Sequence, residues 1–160
     1  LEKGWPFVVH IEFASPTIPG RQKFMEQLEA VFDRHLDHPF AMAHMGQVNA
    51  PEVLRLMKSH ANVYFLTSRS NPVAANDARQ PWVNMFKGDV LSSEWKAPAI
   101  QYPDRFILSF DNVVPEQWGT FYLEEDQYWR KALSRLPHDV ANAIAHGNAE
   151  RLWKIPSRSD

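Results

Sequence analysis

Three polar side chains stand where apolar strand signals end. Pro6-Phe-Val-Val-His10, Pro39-Phe-Ala-Met-Ala-His44 and Arg105-Phe-Ile-Leu-Ser-Phe-Asp111 each run a short apolar segment into a histidine or an aspartate. Imidazole and carboxylate take up and release protons and bind divalent metals through nitrogen and oxygen. In parallel sheets and barrels the C-terminal ends of the strands open onto one face, so His10, His44 and Asp111 are expected to converge there. Glu12, two residues beyond His10, is a candidate to orient a ligand from behind. Ser68 and Arg69 follow the segment Asn62 to Thr67 and are candidates for substrate binding, the planar guanidinium being suited to fork onto a carboxylate.

Each of these has a plainer reading. A buried histidine taken singly is ordinarily a hydrogen-bonded core residue, Glu12 an exposed or salt-bridged acid, and Arg69 a surface arginine; it is the shared placement at strand ends that favours chemistry. His35 and His38 have metal-like spacing but flank a helix end, where an imidazole meets exposed carbonyls, and His60 and His146 have the same setting. Trp82, Trp95, Trp118, Trp129 and Trp153 are expected to pack helices onto strands.

The elements that must hold these ends follow from periodicity. Phe24, Leu28, Val31, Phe32 and His35 share one face of a helix from Arg21 to Leu36. Asn49, with Glu52 three residues on, makes a capping box for a helix that buries Val53, Leu54, Leu56 and Met57. Between Pro72 and Asp104 the prolines and Gly88 divide the chain into short pieces, with helices near 81 to 86 and 89 to 101. Phe106 to Phe110 reads as a strand buried on both faces. Trp129, Ala132, Leu133 and Leu136 mark a helix that Pro137 interrupts. A last helix starts at His138, with Gly147 as its left-handed cap, Asn148 capping a final turn, and a polar tail after Pro156. Four strands alternating with helices, without a convincing two-residue hairpin, indicate parallel βα units, either an open doubly wound sheet or half of an eight-stranded barrel.

Composition narrows the function classes. The 160 residues are 44% hydrophobic and 22% charged, ordinary for one globular domain. A net charge of −2 offers no broad basic surface, so nucleic acid is not an expected partner. With no cysteine, any metal site must use nitrogen and oxygen ligands. No run reaches the roughly 20 apolar residues of a membrane span. The expectation is a soluble, cytoplasmic protein without a membrane partner. The chain begins at Leu1, only a few residues before a strand signal, which raises the expectation of a longer protein.

Val8-Val-His10-Ile-Glu-Phe, Ala43-His44-Met-Gly46, the Pro51-Glu-Val-Leu-Arg-Leu helix leading to Asn62-Val-Tyr-Phe, Pro103-Asp-Arg-Phe-Ile-Leu-Ser-Phe-Asp111 and Ala145-His-Gly-Asn-Ala-Glu-Arg-Leu152 occur in an order and spacing that resemble the amidohydrolase-related metal-dependent hydrolases. That group includes aminocarboxymuconate-semialdehyde decarboxylase and pyrone-dicarboxylate lactonase. The resemblance runs from about Pro6 to Ile155 and implies a TIM-barrel (β/α)8 fold of which this chain supplies about the last four βα units, residues 1–155, with 156–160 as a tail. It implies His10 as a metal ligand from the fifth strand and Asp111 as the eighth-strand residue that binds metal or exchanges protons. It implies His44 as the sixth-strand histidine beside metal-activated water. The divalent metal would be zinc, and the reaction hydrolysis of an ester, lactone or amide, or decarboxylation, of a small carboxylated substrate. The sequence contains no His-x-His pair, which the family carries on its first strand, and Phe110 stands where the family usually has a small residue. The missing N-terminal half or a second copy of the chain is then the expected partner. Without it, the alternative is a metal-free structural or binding fragment.

Overall fold

The computed structural model describes residues 4–13, 15, 17–77 and 80–156. β1 (Phe7–Val9) is followed by α1 (Arg21–Arg34), which starts after Gly20 with φ 83°. β2 (Phe40–Met42) leads through a tight turn to α2 (Ala50–Ser59), whose start is the predicted capping box of Asn49 and Glu52 with Pro51 in the first turn. β3 (Val63–Leu66) precedes α3 (Pro72–Asp77), and a small hairpin pairs β4 (Phe86–Lys87) with β5 (Val90–Leu91). Then come α4 (Ser93–Gln101), β6 (Phe106–Ile107), α5 (Thr120–Leu133) and α6 (His138–Asn142), which continues through a π turn over Ala143–Gly147 into α7 (Asn148–Trp153).

β1, β2, β3 and β6 form one sheet in that order, all parallel. Val8, Ala41 and Tyr64 lie in register on one face, as do Leu66 and Ile107, while Met42, Phe65 and Phe106 align on the other. The second face carries the core: Phe32 of α1 packs on Phe40 with ring centroids 5.0 Å apart, and Phe32, Met42, Leu56, Phe65 and Phe106 are fully buried. Burying each contributes about 1.5–3 kcal/mol. The first face is less covered, with Val8 50% exposed at the β1 edge. Among the described residues no helix is long and apolar enough to cross a membrane.

The βα alternation holds, with local corrections. The stretch 81 to 91 is a 3-10 turn at Pro81–Val83 and the hairpin, because Gly88 takes φ 66° at its turn; the helix begins only at Ser93. Phe65 faces the helices, and its neighbours Tyr64 and Leu66 take the other face with Val8, Ala41 and Ile107. The last strand stops at Ile107 because Leu108 N–H donates to the carbonyl of Ile144 in the π turn, 2.9 Å away, and Ser109 N–H donates to Thr67 Oγ1 at 3.1 Å. Gly147 is helical, with φ −57°, and the left-handed cap is Lys154 with φ 54°. Asn148 is therefore no cap; its buried amide donates to the carbonyls of Pro103 and Phe106, both at 2.7 Å. Trp95 and Trp129 are buried as expected, but Trp118 is 66% exposed on a 3-10 turn, its ring tilted against Tyr122. Pro16 and the tail after Pro156 lie outside the described residues.

Candidate active site at the strand C-termini

The C-terminal ends of β1, β2, β3 and β6 bring His10, His44, Ser68, Arg69 and Asp111 together. The backbone around His44 is unusual. His44, Met45, Gly46 and Gln47 have φ of 52°, 54°, 62° and 52°, one continuous left-handed turn. Each non-glycine residue in it costs about 1–2 kcal/mol. The turn is held because Met45 is fully buried and Gln47, also buried, accepts the Phe13 N–H on Oε1 at 3.0 Å, which ties it to the segment after β1. This backbone sets the His44 ring edge-on to His10, with centroids 4.9 Å apart and planes at 89°.

Ser68 fixes the ring's other side. Its Oγ accepts the His44 backbone N–H at 3.3 Å and lies 2.9 Å from Nδ1. Where the hydroxyl accepts from the ring, neutral His44 carries its proton on Nδ1 and leaves Nε2 as a base; where it donates, the proton sits on Nε2, facing Asp111. Nε2 is 3.8 Å from Asp111 Oδ2. That same oxygen accepts Arg69 Nε at 2.5 Å, and Arg69 reaches it from a left-handed position with φ 58°. Ser109, which sequence reasoning did not single out, accepts Ser68 N–H on Oγ at 3.0 Å and so ties the two loops. Its signal was a lone hydroxyl within an apolar strand run.

Burial pushes the His44 imidazole below the usual histidine range; the Asp111 charge opposes this, and His10 and Arg69 add to it. His44 is therefore a neutral base at pH 7. Sequence reasoning also missed Glu125 of α5, a carboxyl only 1% exposed. Its Oε1 accepts from Asn71 Nδ2 at 2.8 Å, whereas Oε2 is buried without a hydrogen-bond partner. Burial raises its pKa above the ordinary carboxyl value.

Other candidates stand apart. Glu12 is exposed and, with His10, lines a groove of about 450 Å³ beside α1. His60 is buried between Asp33 Oδ1 at 3.0 Å and Glu29 Oε2 at 3.1 Å, and Glu29 also takes a bidentate pair of bonds from Arg55, an ion-pair network joining α1 and α2. His38 packs on Phe40, and His146 pairs with Glu150 one helical turn on. The imidazole contacts of His38, His60 and His146 are thus to a ring and to carboxylates rather than to the helix-end carbonyls expected of them, and His35 caps α1 through its backbone N–H, which donates to the Phe32 carbonyl.

The donor types fit a zinc-like ion, but their number does not. Among the described residues no group of three or more His, Asp or Glu side chains is placed to hold a metal ion, and Asp111 Oδ2 is engaged by Arg69. What the arrangement offers by itself is a desolvated imidazole base, a second imidazole and a carboxylate beside a guanidinium.

Comparison with known proteins agrees with this architecture. No curated protein matches the chain significantly. An amidohydrolase from Burkholderia multivorans crystallised with bound zinc is similar over 94% of this chain and 53% of its own, with a TM-score of 0.52 and 18% identity. A crystal form with bound HEPES gives the same TM-score at 16% identity, covering 94% and 54%. The chain thus spans about half the length of the solved structures it matches, and its parallel sheet with flanking helices is about half of a TIM-type barrel. The Amidohydro_2 family model, described as Amidohydrolase, matches residues 2–155. The chain belongs to the amidohydrolase family.

Proposed function

We propose that this chain is the C-terminal half of a zinc-dependent hydrolase or decarboxylase acting on a small carboxylated ester, lactone or amide. The observation that carries the reading is the meeting of His10, His44 and Asp111 at the C-terminal edge of one parallel sheet in a chain of this family. His10 and Asp111 would hold the metal together with donors from the missing N-terminal half. When bound, a divalent metal polarises a carbonyl and makes water acidic enough to attack near neutral pH. His44 Nε2 takes a proton from the attacking water, and Ser68 on Nδ1 holds the ring in the tautomer that can accept it. Arg69 and Ser68 sit beside this base, where the guanidinium can receive the substrate carboxylate. The second reading, a metal-free binding or structural fragment, is favoured by the lack of a three-ligand group among the described residues.

Steady-state assays of the complete protein on lactones, esters and amides, with carbon dioxide release followed in parallel, test the proposal. Zinc-dependent turnover that falls about 10²-fold or more in His44→Ala is expected. Turnover that survives both chelation and His44→Ala would overturn it.

A further inference from the structure

Beyond Leu66 and Ile107, β3 and β6 are joined through side chains where a regular sheet would use backbone alone. The Phe65 N–H donates to the Arg105 carbonyl at 2.9 Å and the Thr67 N–H to the Ile107 carbonyl at 3.0 Å, so the next rung of a parallel ladder would run from Ser109 N–H to the Thr67 carbonyl. That carbonyl is turned into the following loop, where it accepts the Ser70 N–H at 3.2 Å and Ser70 Oγ at 2.5 Å. Two hydroxyls replace the lost rung. Ser109 N–H donates to Thr67 Oγ1 at 3.1 Å, and Ser68 N–H donates to Ser109 Oγ at 3.0 Å. We propose that Thr67 and Ser109 form a hydroxyl clasp that positions the site: it fixes the gap between the two strand ends, and with it the placing of Ser68 against His44 and of Arg69 against Asp111.

The order of residues along the chain makes the clasp effective. Ser68, one residue past Thr67, accepts the His44 N–H on its Oγ and holds that atom 2.9 Å from Nδ1. Asp111 lies two residues past Ser109, and Arg69, two past Thr67, closes the circuit by donating Nε to Asp111 Oδ2 at 2.5 Å. The turn that takes the Thr67 carbonyl out of the ladder also sets Arg69 at φ 58°, so the backbone that aims the guanidinium is the one that gives up a rung. On the other side of β6, Leu108 N–H donates to the Ile144 carbonyl at 2.9 Å, which leaves the two hydroxyl bonds to hold the end of β6 against β3. Thr67 is fully buried, where an unpaired partner is costly, and a valine of the same shape could not accept the Ser109 N–H. The bonds of the clasp run to backbone N–H groups, which makes Thr67 and Ser109 positioning residues and not catalytic ones.

The clasp rests on the proposed hydrolase reading only for its effect on turnover, so its test has a structural arm and a kinetic arm. Thr67→Val keeps the shape of the side chain and removes the acceptor, whereas Thr67→Ser keeps the acceptor and removes a methyl group. In crystal structures of the complete protein, Thr67→Val should open the Ser68 to Ser109 bond beyond about 3.5 Å and draw Ser68 Oγ off His44 Nδ1, while Thr67→Ser keeps both contacts. In the kinetic arm, kcat on whichever ester, lactone or amide the wild type turns over should fall about tenfold or more in Thr67→Val and Ser109→Ala, because reacting groups displaced by about 1 Å lose up to about 10²-fold. Thr67→Ser and Ser109→Thr should stay within about twofold of wild type. The reverse order, serine worse than valine at position 67, is what packing alone would give and would overturn the clasp. So would a Thr67→Val protein with a lowered urea midpoint whose Ser68 contacts and kcat per folded molecule are unchanged. If Thr67→Val does not fold, Ser109→Ala, at a half-buried position, decides the matter by loss or retention of the Ser68 to His44 contact. A wild type that turns over none of these substrates would end the hydrolase reading, while the crystal structures would still decide the clasp.

Discussion

Gly46→Ala isolates the strain on which the placement of His44 depends. Gly46 has φ 62°, and an added Cβ would meet Met42 Cε at 3.3 Å, with Met42 Cβ and Phe65 Cε1 both at 3.6 Å. A left-handed alanine costs about 1–2 kcal/mol, and the reduced freedom of the unfolded chain returns about 0.4–1 kcal/mol. The Met42 contact adds little, because Cε is the end of a flexible side chain. The net loss should be about 1 kcal/mol, or about 0.5 M in the urea midpoint at a slope near 2 kcal/mol per molar. Two controls calibrate it. Gly88→Ala, at φ 66° with open space around its Cβ, should lose a similar amount, whereas Gly147→Ala, helical at φ −57° and ψ −37° with only ordinary contacts around its Cβ, should not. A Gly46→Ala protein as stable as the Gly147→Ala control would show that the left-handed turn is not the backbone the chain adopts.

Four other outcomes follow. Ser68→Ala should lower kcat of the complete protein more than it raises KM, since it frees the His44 ring to take the wrong tautomer while leaving Arg69 in place; unchanged kcat would remove Ser68 from the site. Because burial lowers the His44 pKa, the base should stay neutral below the usual histidine range, so the acid limb of kcat/KM should fall below pH 6.5. By the same shift, the unfolded histidine gains its proton first as pH falls below 6.5, so His44 should subtract stability from there down to its folded pKa, and His44→Ala should flatten that slope in thermal melts. Asn148→Ala should cost about 2 kcal/mol or more in urea unfolding, because it strips partners from the carbonyls of Pro103 and Phe106; a near-neutral result would mean water replaces the amide.

The parallel order of the sheet was legible because each strand is a short apolar run ending in a polar residue, followed by helical periodicity. The capping box at Asn49 and Glu52 was legible because its chemistry is local. The hairpin at Gly88 was hidden by flanking prolines that read as helix punctuation, and the π turn cannot be seen in a helical period, although Leu108 depends on its freed carbonyl. At the site, residue types and strand-end positions foretold which groups would gather. The left-handed turn did not show, since His44, Met45 and Gln47 are not residues that advertise positive φ. Glu125 stands one helical turn before Trp129, on the face the periodicity buries, but as a carboxylate it does not advertise burial and was not singled out.

The central claim is that His10 and Asp111 contribute to a metal site while His44 handles protons. Metal content of the complete protein by plasma mass spectrometry, measured beside turnover on the same preparations, tests it most directly. The account predicts about one zinc per chain in the wild type, loss of metal in His10→Ala and Asp111→Ala, and retained metal with lost turnover in His44→Ala. Full metal in His10→Ala and Asp111→Ala, or full turnover in any of the three variants, would contradict it.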